Sequence, residues 1–517
     1  MNSDSVDLIA TDPPFKKGRD FHATPDSLAS GASFQDRWSW DKDVHPEWLD
    51  QIKDDHPAVW EVIDAVNAIY MKKTKKNLKE DRDKVGSDMG AFLCFMAVRL
   101  IEMHRILKPT GSIYLHCDYT AGHYLKAVMD AIFGHHQFRN DIIWRRTASH
   151  NSADKFGPIH DNILFYANSD YKHKVLFSPY LNGYVEEYFT KKDDKGRYRE
   201  QEIHGSGISK KGESGKPWRG FDPTAKGRHW AIPSKLIASL GIDPNLPQHD
   251  KLNALYEMGC IDVDSDYLPK YRQYLNDSLG TPLQDIWAYQ PYTKGLLRDT
   301  EDEIDKEVRW LPGRDKKERT GFATQKPIGL YCRMIEASSN HNDVVLDPFA
   351  GCATTLIAAE RTGRKWVGID LWDDAEKVVL KQLKKEHLVS SKEQNMLFPK
   401  DIHFTSELPV RTDDGKEAVP FLKTKLKVDE PKGKKMSRAE MVEYLIKQNG
   451  LTCPGCNRTF DDPRFLELDH NTPRSDGGIN HISNRVLLCG PCNKIKSNTY
   501  TLSGLRKLNK KTGFMKD

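Results

Sequence analysis

The sequence predicts an α/β chain on an open, largely parallel sheet, followed by a small unit braced by metal. Three observations carry this reading. Apolar runs ending in a carboxylate occur early and late, at Val6-Asp7-Leu8-Ile9-Ala10-Thr11-Asp12 and Asp343-Val344-Val345-Leu346-Asp347. Helical and strand-like patterns alternate beside both runs. Two Cys-x-x-Cys pairs, Cys453/Cys456 and Cys489/Cys492, have 32 residues between them.

The first run reads as a buried strand with Asp12 at its carboxyl edge, where open α/β sheets bind ligands. Pro13 and Pro14 forbid continuation as strand or helix and leave carbonyls without neighbouring N–H partners. With Phe15 they make a stiff corner: a carboxylate and a carbonyl to accept two N–H bonds, and a ring to stack on a planar group. Further on, Ser87 to Leu107 fits an amphipathic helix stopped by Pro109-Thr110-Gly111. A strand Ser112 to His116, a helix Thr120 to Phe133 and a strand Asn140 to Trp144 follow. His116 and the pair His135-His136 read as satisfied edge or loop histidines.

Between Arg145 and Thr320 the alternation fails, in a stretch rich in Gly, Lys, Asp and aromatics. Thr324-Gln325-Lys326-Pro327 opens a helix, Ile328 to Ser338. The second apolar run then leads into Pro348-Phe349-Ala350-Gly351-Cys352-Ala353-Thr354-Thr355, a helix Leu356 to Arg361 and a strand Lys365 to Asp370. Asp370 lies nineteen positions after Gly351. That layout is an adenosine-binding βαβ unit: small residues let the backbone approach the ligand, and Asp370 can hold ribose hydroxyls. The turn has too few glycines for the dinucleotide fingerprint, which disfavours NAD. A charged helix, Asp373 to Glu386, comes next. Pro409, Pro420, Pro431 and many lysines mark 408–437 as a linker. Ser437-Arg438-Ala439-Glu440 is a capping box opening a helix to Lys447.

Composition bounds the rest. Among 517 residues, basic side chains exceed acidic ones by only four, so there is no global polyanion signature, and the lysine runs read as solvated faces. The apolar stretch Ala91 to Val98 is too short to span a bilayer, and the opening residues do not read as a secretory leader. Four of the nine cysteines cluster near the end, which favours metal over disulfides and a reducing, cytoplasmic setting.

Asp-Pro-Pro-Phe early, Thr-Gln-Lys-Pro later, then Asp-Pro-Phe-Ala-Gly resemble the permuted (β-class) DNA amino-methyltransferases, over roughly residues 5 to 375. The resemblance implies a Rossmann-like S-adenosylmethionine-dependent methyltransferase sheet with an inserted target-recognition region. It implies catalysis at Asp12, Pro13, Pro14 and Phe15. Cofactor binding falls to Lys326, Pro327, Asp347, Pro348, Phe349, Ala350, Gly351, Thr354 and Asp370. Asp rather than Ser at position 12 leans toward adenine N6 over cytosine N4. Ala353 stands where the family usually has a second glycine. The family normally has a strand and helix before its Asp-Pro-Pro strand; the few residues here leave either a truncated gene product or a methylase without that cover. The divisions expected are a catalytic half at 1–145, the insertion at 146–320, a cofactor half at 321–407, the linker at 408–437 and a last domain at 438–517.

The tail, with Leu466-Glu467-Leu468-Asp469-His470-Asn471, Asn484 and Asn493 between and after the cysteine pairs, resembles the HNH endonucleases with a ββα-metal core and a four-cysteine zinc site. This implies structural zinc on Cys453, Cys456, Cys489 and Cys492, and His470 as general base. It implies Mg²⁺ or a similar divalent cation on Asp469 and Asn493, with Asn484 fixing the loop and the imidazole. The function expected is site-specific methylation of double-stranded DNA combined with HNH cleavage, in a prokaryotic or phage restriction-modification or mobile-element setting. The alternatives are a zinc unit that only grips DNA, cytosine-N4 specificity, or methylation of RNA. No membrane partner is expected; the oligomeric state is open, with a homodimer among the options.

Overall fold

The computed structural model describes every residue except 26, 72–85, 148–153, 211, 264–266, 288–317, 323, 373, 387–401, 407–435, 474–478, 498 and 517. The expected linker at 408–437 lies outside the described residues apart from 436 and 437. The chain divides into two compact units, residues 1–174, 285–289 and 307–517 in one, 175–284 and 290–306 in the other.

In the first unit, β1 (Val6–Thr11) is buried at every residue. It is followed by α1 (Pro46–Asp55), α2 (Pro57–Tyr70), α3 (Asp88–Ile106), β2 (Leu107–Cys117) and α4 (Gly122–Phe133). Then come β3 (Phe138–Arg145), β4 (His160–Ala167) and β5 (Ile286–Trp287). The sequence returns with α5 (Ile328–Ser338), β6 (Val344–Asp347), α6 (Thr354–Arg361), β7 (Lys365–Gly368) and α7 (Ala375–Lys385). The strand order is β5-β3-β4-β2-β1-β6-β7. Ile9 packs with α1 to α4 on one face, while Leu8 and Ala10 pack with α5, α6 and α7 on the other. A strand covered on both faces needs an apolar run, here Leu8–Ala10, while the buried Asp7 before it is paired with Lys108 at 2.8 Å.

Two expectations change. His160–Ala167 lies inside 146–320 yet forms a central strand, antiparallel to both β2 and β3. Among the described residues no helix separates it from β3, so nothing in the helix-strand alternation announces it. The strand expected at Ser112–His116 is longer, because β2 already starts at Leu107, directly after α3 ends at Ile106, and runs through Pro109-Thr110-Gly111. The pairing jumps from Val6↔Leu107 to Leu8↔Ser112, and this bulge absorbs the proline without losing the ladder.

The register Leu8↔Val345 and Ile9↔Leu346 sets the ends of β1 and β6 side by side. One carboxylate locks them. Asp347, fully buried, accepts hydrogen bonds from Thr11 Oγ1 at 2.7 Å, Thr355 Oγ1 at 2.6 Å and the Phe349 N–H at 3.1 Å.

The first unit also contains a small ββα module. Here α8 (Arg438–Asn449) begins with a complete Ser437/Glu440 capping box and runs two residues past the expected Lys447. It packs near the antiparallel pair β8 (Leu466–His470) and β9 (Arg485–Cys489), followed by α9 (Gly490–Lys496) and α10 (Leu502–Lys511). Its core is Leu445, Leu466, Leu487, Leu488, Leu502 and Leu505 around the four cysteines.

The second unit has its own core of Ile203, Trp218, Trp230, Leu252 and Leu255. Its antiparallel sheet orders Ile261–Asp262, Lys270–Tyr274, Gly196–Glu202 and Lys191–Asp193. Among the described residues no helix is long and apolar enough to cross a membrane.

Burial pushes the Asp347 carboxyl up to about 6, against the pull of its three donors. The folded protein thus holds this proton more tightly than the unfolded chain, whose aspartates titrate near about 4. The group's contribution to stability is full at low pH and falls by about 3 kcal/mol as pH rises from about 4 to about 6. Asp347→Asn, which cannot ionise, should remove that fall; urea denaturation of both proteins across this window measures it.

Candidate active sites and metal centre

Immediately after β1 the chain turns through Asp12-Pro13-Pro14-Phe15 with no regular structure, as two prolines require. The next turn is braced from below. Lys16 has a left-handed φ of 63°, and the fully buried Asp36 carboxylate accepts the N–H groups of Lys16 and Lys17, both at 2.7 Å. Phe15 is half-buried, its ring 5.4 Å from the His116 ring. Lys326 Nζ stands 2.5 Å from Asp12 Oδ2 and 4.9 Å from the centre of the Phe15 ring. The structure therefore places Lys326, expected on the cofactor side, on the Asp12 carboxylate. The other oxygen, Asp12 Oδ1, is buried and has no hydrogen-bond partner among the described residues. Such an atom costs free energy until something donates to it.

Gly351 lies at the neighbouring strand end with φ +50°, and a Cβ there would come within 3.2 Å of the Phe322 ring. Asp370 is exposed and ties this turn, accepting Gly351 N–H at 2.7 Å and Trp372 N–H at 2.8 Å. Ala353, in the family's second glycine position, has φ +68° and is fully buried. A left-handed alanine costs on the order of 1 kcal/mol, which is why glycine suits the position. Backbone open at Gly351, an exposed carboxylate at Asp370 and the half-buried Phe349 ring fit an adenosyl group. Asp347, Thr354 and Lys326 are buried: Asp347 bridges Thr11 and Thr355, Thr354 Oγ1 lies 3.4 Å from Cys352 Sγ, and Lys326 meets Asp12.

One pairing at this edge, His116 with Asp161, was not read from the sequence. His116, read as a satisfied edge histidine, is 1% exposed. Its Nε2 meets Asp161 Oδ2 at 3.1 Å, and Asp161 also pairs with Arg146 at 2.9 Å. Its Nδ1 is buried with no partner among the described residues. Burial acts to raise the Asp161 carboxyl, but the His116 hydrogen bond and the charges of Lys326 and Arg146 hold it below the ordinary range. The pairing Thr11↔Leu115 sets His116 across from Asp12, and antiparallel β4 delivers Asp161 to the same edge. Only the strand order reveals this.

In the small module the four cysteine sulfurs are buried and lie within 4.8 Å of one another. Cys456 Sγ and Cys489 Sγ are 3.8 Å apart, close to the edge of a tetrahedron with Zn–S bonds of about 2.3 Å. Cys489 N–H donates to Cys453 Sγ at 3.3 Å and Asn509 Nδ2 to Cys492 Sγ at 3.4 Å, the outer support that thiolates need. The residues fit a structural zinc ion. Asp469 and His470 follow on β8, and Asn493 on α9. Asp469 Oδ2 is held at 3.0 Å by Lys496 Nζ, a 1% exposed ammonium. Asn493 Nδ2 donates to Glu467 Oε2 at 2.5 Å, which leaves its amide oxygen for other duty. Asn484 fixes the loop, accepting from Thr472 N–H and donating to Thr472 O and Ile479 O. It does not meet the imidazole; Arg485 Nη1 does, at 3.1 Å from His470 Nδ1.

A seven-stranded sheet with one reversed strand, an acceptor corner and a glycine turn at one edge defines a methyltransferase-class α/β enzyme. The profile of the DNA methylase family (N6/N4 type) matches residues 6–381, so the chain belongs to that family. The HNH endonuclease profile matches residues 453–499, the ββα module. The type II methyltransferase M.EcaI of Enterobacter cloacae is 31% identical over 298 residues, 57% of each chain. The type III restriction-modification enzyme StyLTI Mod subunit of Salmonella typhimurium is 27% identical over 364 residues, 69% of this chain and 46% of that one. The DNA adenine methyltransferase YhdJ of Escherichia coli is 50% identical over 60 residues, 12% of this chain and 20% of its own. The chain thus spans about half the length of the first two.

If the four thiolates hold zinc, a strong chelator should release about one equivalent per chain. Amide protection should then collapse across the ββα module while the methylase sheet keeps its own. A zinc-responsive dye and hydrogen exchange on the same sample check both.

Proposed function

We propose that the protein transfers a methyl group from S-adenosylmethionine to an exocyclic amine of a base in double-stranded DNA, adenine N6 in preference to cytosine N4. We further propose that its HNH module cuts DNA with Mg²⁺ or a similar cation. The observation that carries the first part is the buried, unpartnered Oδ1 of Asp12 beside half-buried Phe15.

A base inside a duplex cannot reach this corner, so it must be flipped out. Phe15 stacks on its face, Asp12 Oδ1 accepts one amine N–H, and a carbonyl of Pro13-Pro14 accepts the other. The amine's lone pair, otherwise delocalised into the ring, is thereby turned out of plane toward the cofactor side. S-adenosylmethionine, when bound, supplies a methyl already activated on a sulfonium. The amine that takes the methyl would become cationic and shed one proton to solvent by way of Asp12 Oδ1, the acceptor already against it. Lys326, on Oδ2, keeps the carboxylate aimed throughout. Asp at position 12 and the local identity to an adenine methyltransferase support N6.

In the HNH module an arginine can only donate, so the Arg485 contact marks His470 Nδ1 as the unprotonated nitrogen; its one lone pair is engaged by Arg485, which must give way before Nδ1 takes a proton from the attacking water. Asp469 Oδ1 and the Asn493 amide oxygen are hard donors suited to a divalent cation that stabilises charge on the scissile phosphate. The second unit, with basic and aromatic side chains on its own core, is the region that reads the target. Arg219, stacked 3.9 Å from the Tyr256 ring, is an example.

Asp12→Ala should lower methylation of unmodified plasmid by at least about a hundredfold and leave cutting unchanged. His470→Ala should abolish cutting in Mg²⁺ and leave methylation intact. Methyl incorporation and gel mobility read the two separately; full methylation by Asp12→Ala refutes the corner. Absence of cutting with any divalent metal would reduce the module to a DNA grip.

A further inference from the structure

The residue after the HNH histidine does not belong to its module alone. Asn471, 3% exposed, donates from Nδ2 to the carbonyl of Asp54, the penultimate residue of α1 in the methylase. Its Oδ1 accepts the Leu502 N–H at 2.9 Å, at the start of α10. Beside it the Asp55 carboxylate, 9% exposed, caps the same helix end. It accepts Ser503 N–H at 3.2 Å, Thr501 Oγ1 at 3.2 Å and Ser503 Oγ at 2.5 Å. A carboxylate at a helix N-terminus meets unpaired N–H groups and the positive end of the dipole. One turn further along α10, Arg506 stands 3.1 Å from the Asp54 carboxylate.

We propose that the acidic end of α1 is a docking platform that seats the HNH module on the methylase and fixes the strand carrying His470. The two modules then approach DNA as one body, and not as two units joined only through 408–437. The contact excludes water: burial is the main cause that pushes both Asp54 and Asp55 up to about 6. It is also specific, since a helix cap, an amide bridge and an ion pair converge on two adjacent residues. A buried helix cap and amide bridge of this kind set orientation more than they add affinity. A fixed spacing between methylated base and cut follows from the docking only if the module is the nuclease proposed above; the docking itself does not require cutting.

The test therefore reads structure and not cleavage, on the full-length, zinc-loaded chain. Asp55→Ala, a change on the methylase side, should speed amide exchange in 500–511 by roughly tenfold. Methylation should stay within about twofold, because α1 carries no group of the catalytic corner. A double-mutant cycle of Asp54→Ala and Arg506→Ala, read by the same exchange, should be non-additive. Unchanged exchange at 500–511 in Asp55→Ala overturns the proposal, and so does additivity in the cycle. Asp55→Asn, which keeps an acceptor, should retain most of the protection; exchange as fast as in the alanine variant would likewise count against a cap.

Discussion

The carboxylate of Asp347 is the constraint on which the methylase half depends. It is taken out of water entirely, and it is tolerated because a threonine on each side and one backbone N–H donate to it. Those threonines are not incidental. Thr11 is the last residue of the strand that presents Asp12, and Thr355 is in the first turn of the helix that follows the glycine turn. One side chain thus ties together segments 336 positions apart in sequence. Neither wall of the cleft can drift without breaking that bridge.

The same economy appears one layer out. Asp36 holds the turn after Phe15 through two backbone donors, and Asp370 holds the glycine turn through another. In each case an acidic residue is spent on posture. The groups left for the proposed chemistry are correspondingly few: Asp12 Oδ1, the proline carbonyls and one aromatic face.

Much of this was legible beforehand because it rests on local rules. A strand buried on both faces must be apolar over most of its length, two prolines must break it, and two Cys-x-x-Cys pairs suit a metal ion. What escaped depends on which strand lies beside which. His116 reads as ordinary until β2 is set parallel to β1, and Asp161 looks like part of an insertion until β4 is reversed. Lys326 sits in a motif associated with the cofactor side, yet its side chain reaches across to Asp12. Lys496 has the same character: a lysine on a basic helix predicts solvent, but this one is 1% exposed and pairs with Asp469. Pro109 misled in the opposite direction, because a bulge lets a strand carry it.

The ammonium on Asp12 has a consequence for fidelity. With Lys326 seated on one oxygen, the carboxylate offers a visitor a single acceptor and a neighbouring positive charge. A neutral amine, as the proposed nucleobase substrate carries, can use that acceptor, whereas a cation would find the carboxylate's charge already offset by the resident ammonium and gain little from it. Under the proposed function, the lysine thus strips the corner of the pull a bare carboxylate would exert on any passing cation.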